Sequence, residues 1–169
     1  LLKLYLDTSV ILKRYITEPG TETTDIIFDK AETGELTLTF SLWNIGEALG
    51  VLDEKRRKGS LTEKEFEQTL NLLAGELLKL MRLKTLQIIS VQTPILTDTW
   101  NLIMNNHIYE ADALQIATCS YSSNDALVTS DQKLAQTSKK AGLKTIHLPN
   151  DDHELQTLIQ QSRKQKQHK

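Results

Sequence analysis

Leu1-Leu2-Lys3-Leu4-Tyr5-Leu6 runs directly into Asp7-Thr8-Ser9, and Val10-Ile11-Leu12 follows. A short, mostly apolar run that halts at a polar triplet reads as a buried strand. The apolar stretch after it, Val10 to Ile16, reads as a helix stopped by Glu18-Pro19-Gly20. Lys3 interrupts the run and Asp7 ends it, so it is no signal-peptide core. Farther along, Ala126-Leu127-Val128 leads through Thr129-Ser130 to Asp131, and a helix from Asp131 to Ala141 follows, closed by Gly142. Strand, aspartate, helix, twice over, is the signature of an α/β sheet.

The intervening chain keeps the alternation. Thr21 to Ala31 is expected to be helical and Leu36 to Phe40 a strand. Ser41 caps a long helix ending near Gly59, with Lys55, Arg56, Arg57 and Lys58 in its last turns, where cations suit the helix dipole. Thr62 and Glu65 form a capping box for a helix reaching Arg82, with Phe66, Leu70, Leu73, Leu77 and Leu80 on one side. A strand at Leu86 to Val91, a helix opening at Thr93-Pro94, a helix from Glu110 to Tyr121 and a last strand at Lys144 to Ile146 complete the order. The expectation is a mostly parallel sheet with helices on both faces.

The 169 residues, 39% hydrophobic and 25% charged, suit one domain with a sizeable core. No apolar run approaches the roughly 20 residues of a membrane span. The single cysteine, Cys119, excludes an internal disulfide framework and a Cys-x-x-Cys zinc site, and a reducing, cytoplasmic setting is the default. Net charge is −2, but the last seven residues hold four basic side chains; without them 16 basic residues face 22 acidic ones, a net of −6. A nucleic-acid partner would therefore meet local basic patches rather than a global positive field.

Ligands of open α/β sheets bind beyond the carboxyl ends of the strands, where Asp7 and Asp131 stand. Aspartate is also a favoured helix N-cap, so position alone fits either role, and Ser9 offers a second cap beside Asp7. On the long third helix, Leu42, Ile45, Leu49 and Leu52 are expected to form the apolar stripe, and Glu47 lies off it. Its neighbours are Trp43 and Val51, with Gly46 and Gly50 allowing close approach. Asp112 falls within the arc of Ala113, Leu114, Ile116 and Ala117, where an acid is costly unless paired or metal-bound. Four carboxylates without an obvious basic partner point to a hard cation, Mg²⁺ or Mn²⁺. The histidines His107, His147, His153 and His168 lack zinc-ligand spacing, and no phosphate-binding glycine motif or serine-nucleophile elbow is present.

Leu4 to Leu12, Ser41 with Glu47, Tyr109 to Ala117, Leu127 to Leu134 and Ala141 to Ile146, in that order, resemble the PIN domain, a family of metal-dependent nucleases that includes VapC-type toxins. The resemblance covers residues 1–149 and leaves 150–169 as a C-terminal extension with a basic tail. It implies a three-layer, Rossmann-like domain of about five strands, with a catalytic, metal-binding quartet of Asp7, Glu47, Asp112 and Asp131. Ser9 and Thr129 are its implied polar helpers. It also implies a frequent homodimer, and an antitoxin partner in many members. The long helix from Thr62 to Arg82 and the extension depart from a minimal toxin. The activity expected is Mg²⁺- or Mn²⁺-dependent endoribonuclease cleavage, with Lys13 and Arg14 as candidate contacts to backbone phosphate. Two other readings are an aspartate phosphotransferase, disfavoured by Asp7-Thr8-Ser9 where Asp-x-Asp is needed, and a non-catalytic RNA-binding or assembly module.

Overall fold

In β1 (Leu2–Leu6) the alternate residues Leu2, Leu4 and Leu6 enter one core while Tyr5 enters another on the opposite face. The strand is thus buried on both faces, as the near-continuous apolar run required. The computed structural model describes residues 1–167, with side chains of the last helix described to Arg163; the basic tail's side chains after Arg163, and His168 and Lys169 altogether, fall outside the described ones. Among the described residues five strands form one all-parallel sheet in the order β3-β2-β1-β4-β5. The other strands are β2 (Leu36–Ser41), β3 (Leu86–Ile89), β4 (Ala126–Thr129) and β5 (Thr145–His147).

The helices between them follow from local signals. They are α1 (Thr8–Lys13), α2 (Thr21–Glu32), α3 (Leu42–Arg57), α4 (Glu63–Arg82), α5 (Thr93–Asn106), α6 (Glu110–Tyr121), α7 (Gln132–Lys140) and α8 (Asp152–Gln167). Capping boxes at Ser41/Asn44 and Thr62/Glu65 open α3 and α4, each cap being worth about 1 kcal/mol. Pro94 occupies the first turn of α5. The larger core joins Leu4, Leu6, Leu38, Phe40 and Val128 of the sheet to α2, α3, α4 and α8 on one face. Tyr5 and Leu127 meet Cys119 of α6 on the other, giving three layers. Each fully buried Leu or Phe contributes about 1.5–3 kcal/mol relative to exposure. The extension carries α8, whose Leu155 and Ile159 are buried in the larger core. No helix of the described residues is long and apolar enough to cross a membrane.

Two helix faces differ from expectation. In α3, Leu42 and Leu49 are exposed at 55% and 44%, and the buried positions are Asn44, Ala48 and Leu52. The core accepts the face that carries Asn44, because its amide has buried partners on β1 and α6, and the helix is rotated accordingly. In α6, every residue from Ala111 to Cys119 is buried except Asp112, so no one-sided apolar arc exists. The helix is enclosed by the sheet and α5, and Asp112 is its half-buried opening to solvent.

Candidate active site

β1 leads onward to β2 on one side of the sheet and β4 to β5 on the other. The winding reverses between β1 and β4, which leaves a crevice at their carboxyl ends. Asp7, Glu47, Asp112 and Asp131, drawn from four separate elements, all line one cavity of about 430 Å³ there. That volume lies within the ordinary range for small-ligand sites.

Asp7 is 5% exposed and caps α1. Its Oδ2 accepts from Ser9 Oγ at 2.6 Å and Thr129 Oγ1 at 2.8 Å, and its Oδ1 accepts from Gln115 Nε2 at 2.8 Å. Ser9, which the sequence offered as an alternative cap, is instead a donor to the capping carboxylate. Both hydroxyls are oriented by backbone donors: Ser130 N–H donates to Ser9 Oγ at 2.9 Å, and Asp131 N–H donates to Thr129 Oγ1 at 3.0 Å. Burial pushes the Asp7 carboxyl upward from its ordinary value, and the charge of Glu47 adds to that; the bonds from Ser9 and Thr129 oppose it.

Glu47 is half-buried on α3, and its Oε2 accepts from Thr8 Oγ1 at 2.7 Å and Gln115 Nε2 at 3.0 Å. The carboxyl of Asp112 is also raised, by burial first and then by the charges of Asp131 and Glu47, with Lys133 opposing. Asp131 is exposed and caps α7, accepting from Lys133 N–H at 2.7 Å and Leu134 N–H at 3.0 Å, both through Oδ1. For Asp7 and Asp131 the capping role and the site position therefore coexist. Among the described residues none of the four acids forms an ion pair within 4.0 Å.

The donors are all oxygens, which suits a hard cation. Among the described residues no group of three or more Asp, Glu, His or Cys side chains is drawn together as a ready cage. Mg²⁺ usually binds through one or two carboxylates, keeps several waters and meets substrate phosphate, so an open, water-accessible set fits it better than a closed one would.

Lys13 and Arg14 are not among the cavity's lining residues. Lys13 is buried and pairs with Glu18 at 3.4 Å. Arg14 turns toward α2 and α4, bonding Asp25 at 2.9 Å and Glu76 at 2.8 Å and stacking over Phe28. Three acids, counting Asp29, hold its guanidinium at a different cavity, away from the four carboxylates beside which its contact with backbone phosphate was expected. Sequence reasoning missed Gln115, Thr8 and Asn44, all buried. Gln115 had a usable signal, an amide within the apolar run Ala113-Leu114-Gln115-Ile116-Ala117. Lys55, placed by the sequence only in the last turns of its helix, lines the rim of the site beside Glu18.

A family model described as the PIN domain matches residues 4–140. No curated protein is a match by sequence. Among solved structures, FitAcB from Neisseria gonorrhoeae is 17% identical, with 84% of this chain and 95% of that chain covered and a TM-score of 0.64. Mycobacterium tuberculosis VapC20, described as a Sarcin-Ricin loop cleaving toxin, is 14% identical over 83% of this chain and 95% of its own, TM-score 0.58. A toxin-antitoxin complex from Klebsiella pneumoniae is 17% identical over 77% and 88%, TM-score 0.50. At these identities the likeness to the solved structures is one of fold.

Proposed function

The chain belongs to the PIN-domain family, and on that premise we propose that it is a divalent-metal-dependent endoribonuclease that acts as the toxin of a toxin-antitoxin pair. Residues 1–149 would form the nuclease unit and 150–169 its extension. The observation that carries the reading is the convergence of four carboxylates, without an ion-pair partner among the described residues, at the reversal point of a parallel sheet. The likeness to VapC20, a Sarcin-Ricin loop cleaving toxin, and to the Klebsiella toxin-antitoxin complex supports the toxin role and an antitoxin partner. The family resemblance supports a second copy of the chain as a further partner.

Asp7, Asp112 and Asp131 would hold Mg²⁺ or Mn²⁺, with Glu47 holding a water or a second ion. When bound, such a cation acidifies water and neutralises charge on phosphoryl oxygens. The protein's own contribution is positioning. Ser9 and Thr129 hold Asp7 by one oxygen, and the α7 cap holds Asp131 by one oxygen. Thr8 fixes Glu47. Attack of water in line with the P–O3′ bond breaks that bond and leaves a 5′-phosphate and a 3′-hydroxyl. Cleavage of RNA should vanish in excess EDTA and return when Mg²⁺ or Mn²⁺ exceeds the chelator. Undiminished cleavage in EDTA overturns the reading.

A further inference from the structure

Gln115 sits 3% exposed on α6, one turn after Asp112, with both ends of its amide engaged. Which end faces the carboxylates is decided by a chain of bonds that begins at the backbone. Ser41 N–H can only donate, and it donates to Asn44 Oδ1 at 2.7 Å. The Asn44 amide must therefore present Nδ2 on its other side, where it donates to Gln115 Oε1 at 2.7 Å and to Thr8 Oγ1 at 2.9 Å. The phenol of Tyr5, 2.9 Å from both carbonyl oxygens, adds a donor to the same side of the relay. Gln115 is thus left with Nε2 toward the site, where it donates to Asp7 Oδ1 at 2.8 Å and to Glu47 Oε2 at 3.0 Å.

We propose that Gln115 is a positioning residue that ties Asp7 to Glu47 and sets their separation before a cation arrives, its own orientation locked from Ser41 through Asn44. This rests on the nuclease reading above. Two like-charged side chains from different layers of the fold would otherwise move apart, since like charges at close range repel. One amide nitrogen donating to both opposes that separation, and Thr8, which accepts from Asn44 and donates to Glu47, holds the same carboxylate from within the relay. The binding of a cation then begins from a set already close to its final spacing, so less ordering is required at the moment of binding.

Two variants and one measurement on the unaltered chain test this. Gln115→Met keeps the length of the side chain and removes both donors. Asn44→Asp keeps the acceptor for Ser41 N–H but removes the Nδ2 donor to Gln115 Oε1, which loosens the lock on that amide to the single phenol of Tyr5 with residue 115 unchanged. Mn²⁺ binding without RNA, followed by titration calorimetry well below the melting temperature, should weaken about 10- to 100-fold in each, the usual effect of losing a group that orients a ligand. The kcat for RNA should fall with it, with KM for RNA at saturating Mn²⁺ little changed. In the unaltered protein, the Gln115 side-chain amide should exchange slowly with solvent in EDTA and shift its NMR signal on addition of Mg²⁺. Variants that lose melting temperature but bind Mn²⁺ as the parent does would leave Gln115 a packing residue and overturn the proposal. If either variant fails to fold, a Gln115 amide that exchanges freely or ignores Mg²⁺ overturns it equally. A parent chain that binds no Mn²⁺ and cuts no RNA instead overturns the nuclease reading itself.

Discussion

Two groups of acids lie close together in this molecule, and they differ in what stands at their centre. Asp25, Asp29 and Glu76 surround the guanidinium of Arg14, and Glu76 and then Asp25 raise it above its ordinary value against the effect of burial. The phenol of Tyr15 donates to Glu76 at 2.7 Å and completes the cluster. Asp7, Glu47, Asp112 and Asp131 line a cavity without an ion pair among the described residues, and burial raises the carboxyls of Asp7 and Asp112. In the first group the fold supplies the compensating charge, so the acids serve stability. In the second it supplies neutral donors, Ser9, Thr8, Thr129 and Gln115, which orient carboxylates without cancelling their charge. Carboxylates arranged but not neutralised leave a place for an external cation.

The contrast breaks most directly at Asp7. Asp7→Asn should reduce RNA cleavage by more than about 100-fold, the upper limit for groups that only support a ligand, while circular dichroism shows the fold retained. An active Asp7→Asn protein would make that carboxylate a helix cap and nothing more. Next in size is Arg14→Met, which leaves three acids without their cation. Breaking a fully buried pair costs about 3–5 kcal/mol; with Arg14 19% exposed and Asp29 67% exposed, roughly 2 kcal/mol is expected from denaturant unfolding. Cleavage per folded molecule should be unchanged. A stable Arg14→Met protein with weakened RNA cleavage would return Arg14 to the role its sequence position first indicated.

The smallest effect sharpens the contrast by sign. Asp112→Asn should raise the melting temperature in EDTA, by about 1 kcal/mol or less of stability because the residue is half-exposed. A folded-state pKa above the unfolded one makes the ionised acid a cost to the folded state at neutral pH. That cost disappears as pH falls through the raised value, so the advantage of Asp112→Asn should shrink on acidification. Mg²⁺ should then stabilise the parent more than the variant, since binding to the folded state acts by mass action. If Asp112→Asn melts lower in EDTA and both proteins respond equally to Mg²⁺, Asp112 is a structural acid.

Much of this was legible in the sequence because it is encoded locally. The alternation of Leu2, Leu4 and Leu6, the capping box at Thr62 and Glu65, and the strand-end positions of Asp7 and Asp131 depend on residues within a few places of one another. Element order follows from those signals, and with it the parallel sheet and the crevice at its point of reversal. The rotation of α3 was not legible, since Leu42, Ile45, Leu49 and Leu52 make as good a stripe as the face the core accepted. What decided between them is the buried Asn44 amide, and its partners Tyr5 and Gln115 lie 39 and 71 residues away.

Sequence by itself therefore determined the elements as far as β5, their order and the four candidate acids, while α8 in the extension was not read from it. Tertiary structure alone decided that Glu76, 62 residues from Arg14, would claim that side chain. It alone brought Gln115, 108 residues from Asp7, between two carboxylates. The physical reason is one of range. Helical and strand periodicity bind a residue to neighbours three or four places away, or two. Which distant side chain completes a buried polar group depends on how whole layers pack, and every such group must find its partner there or remain at a cost.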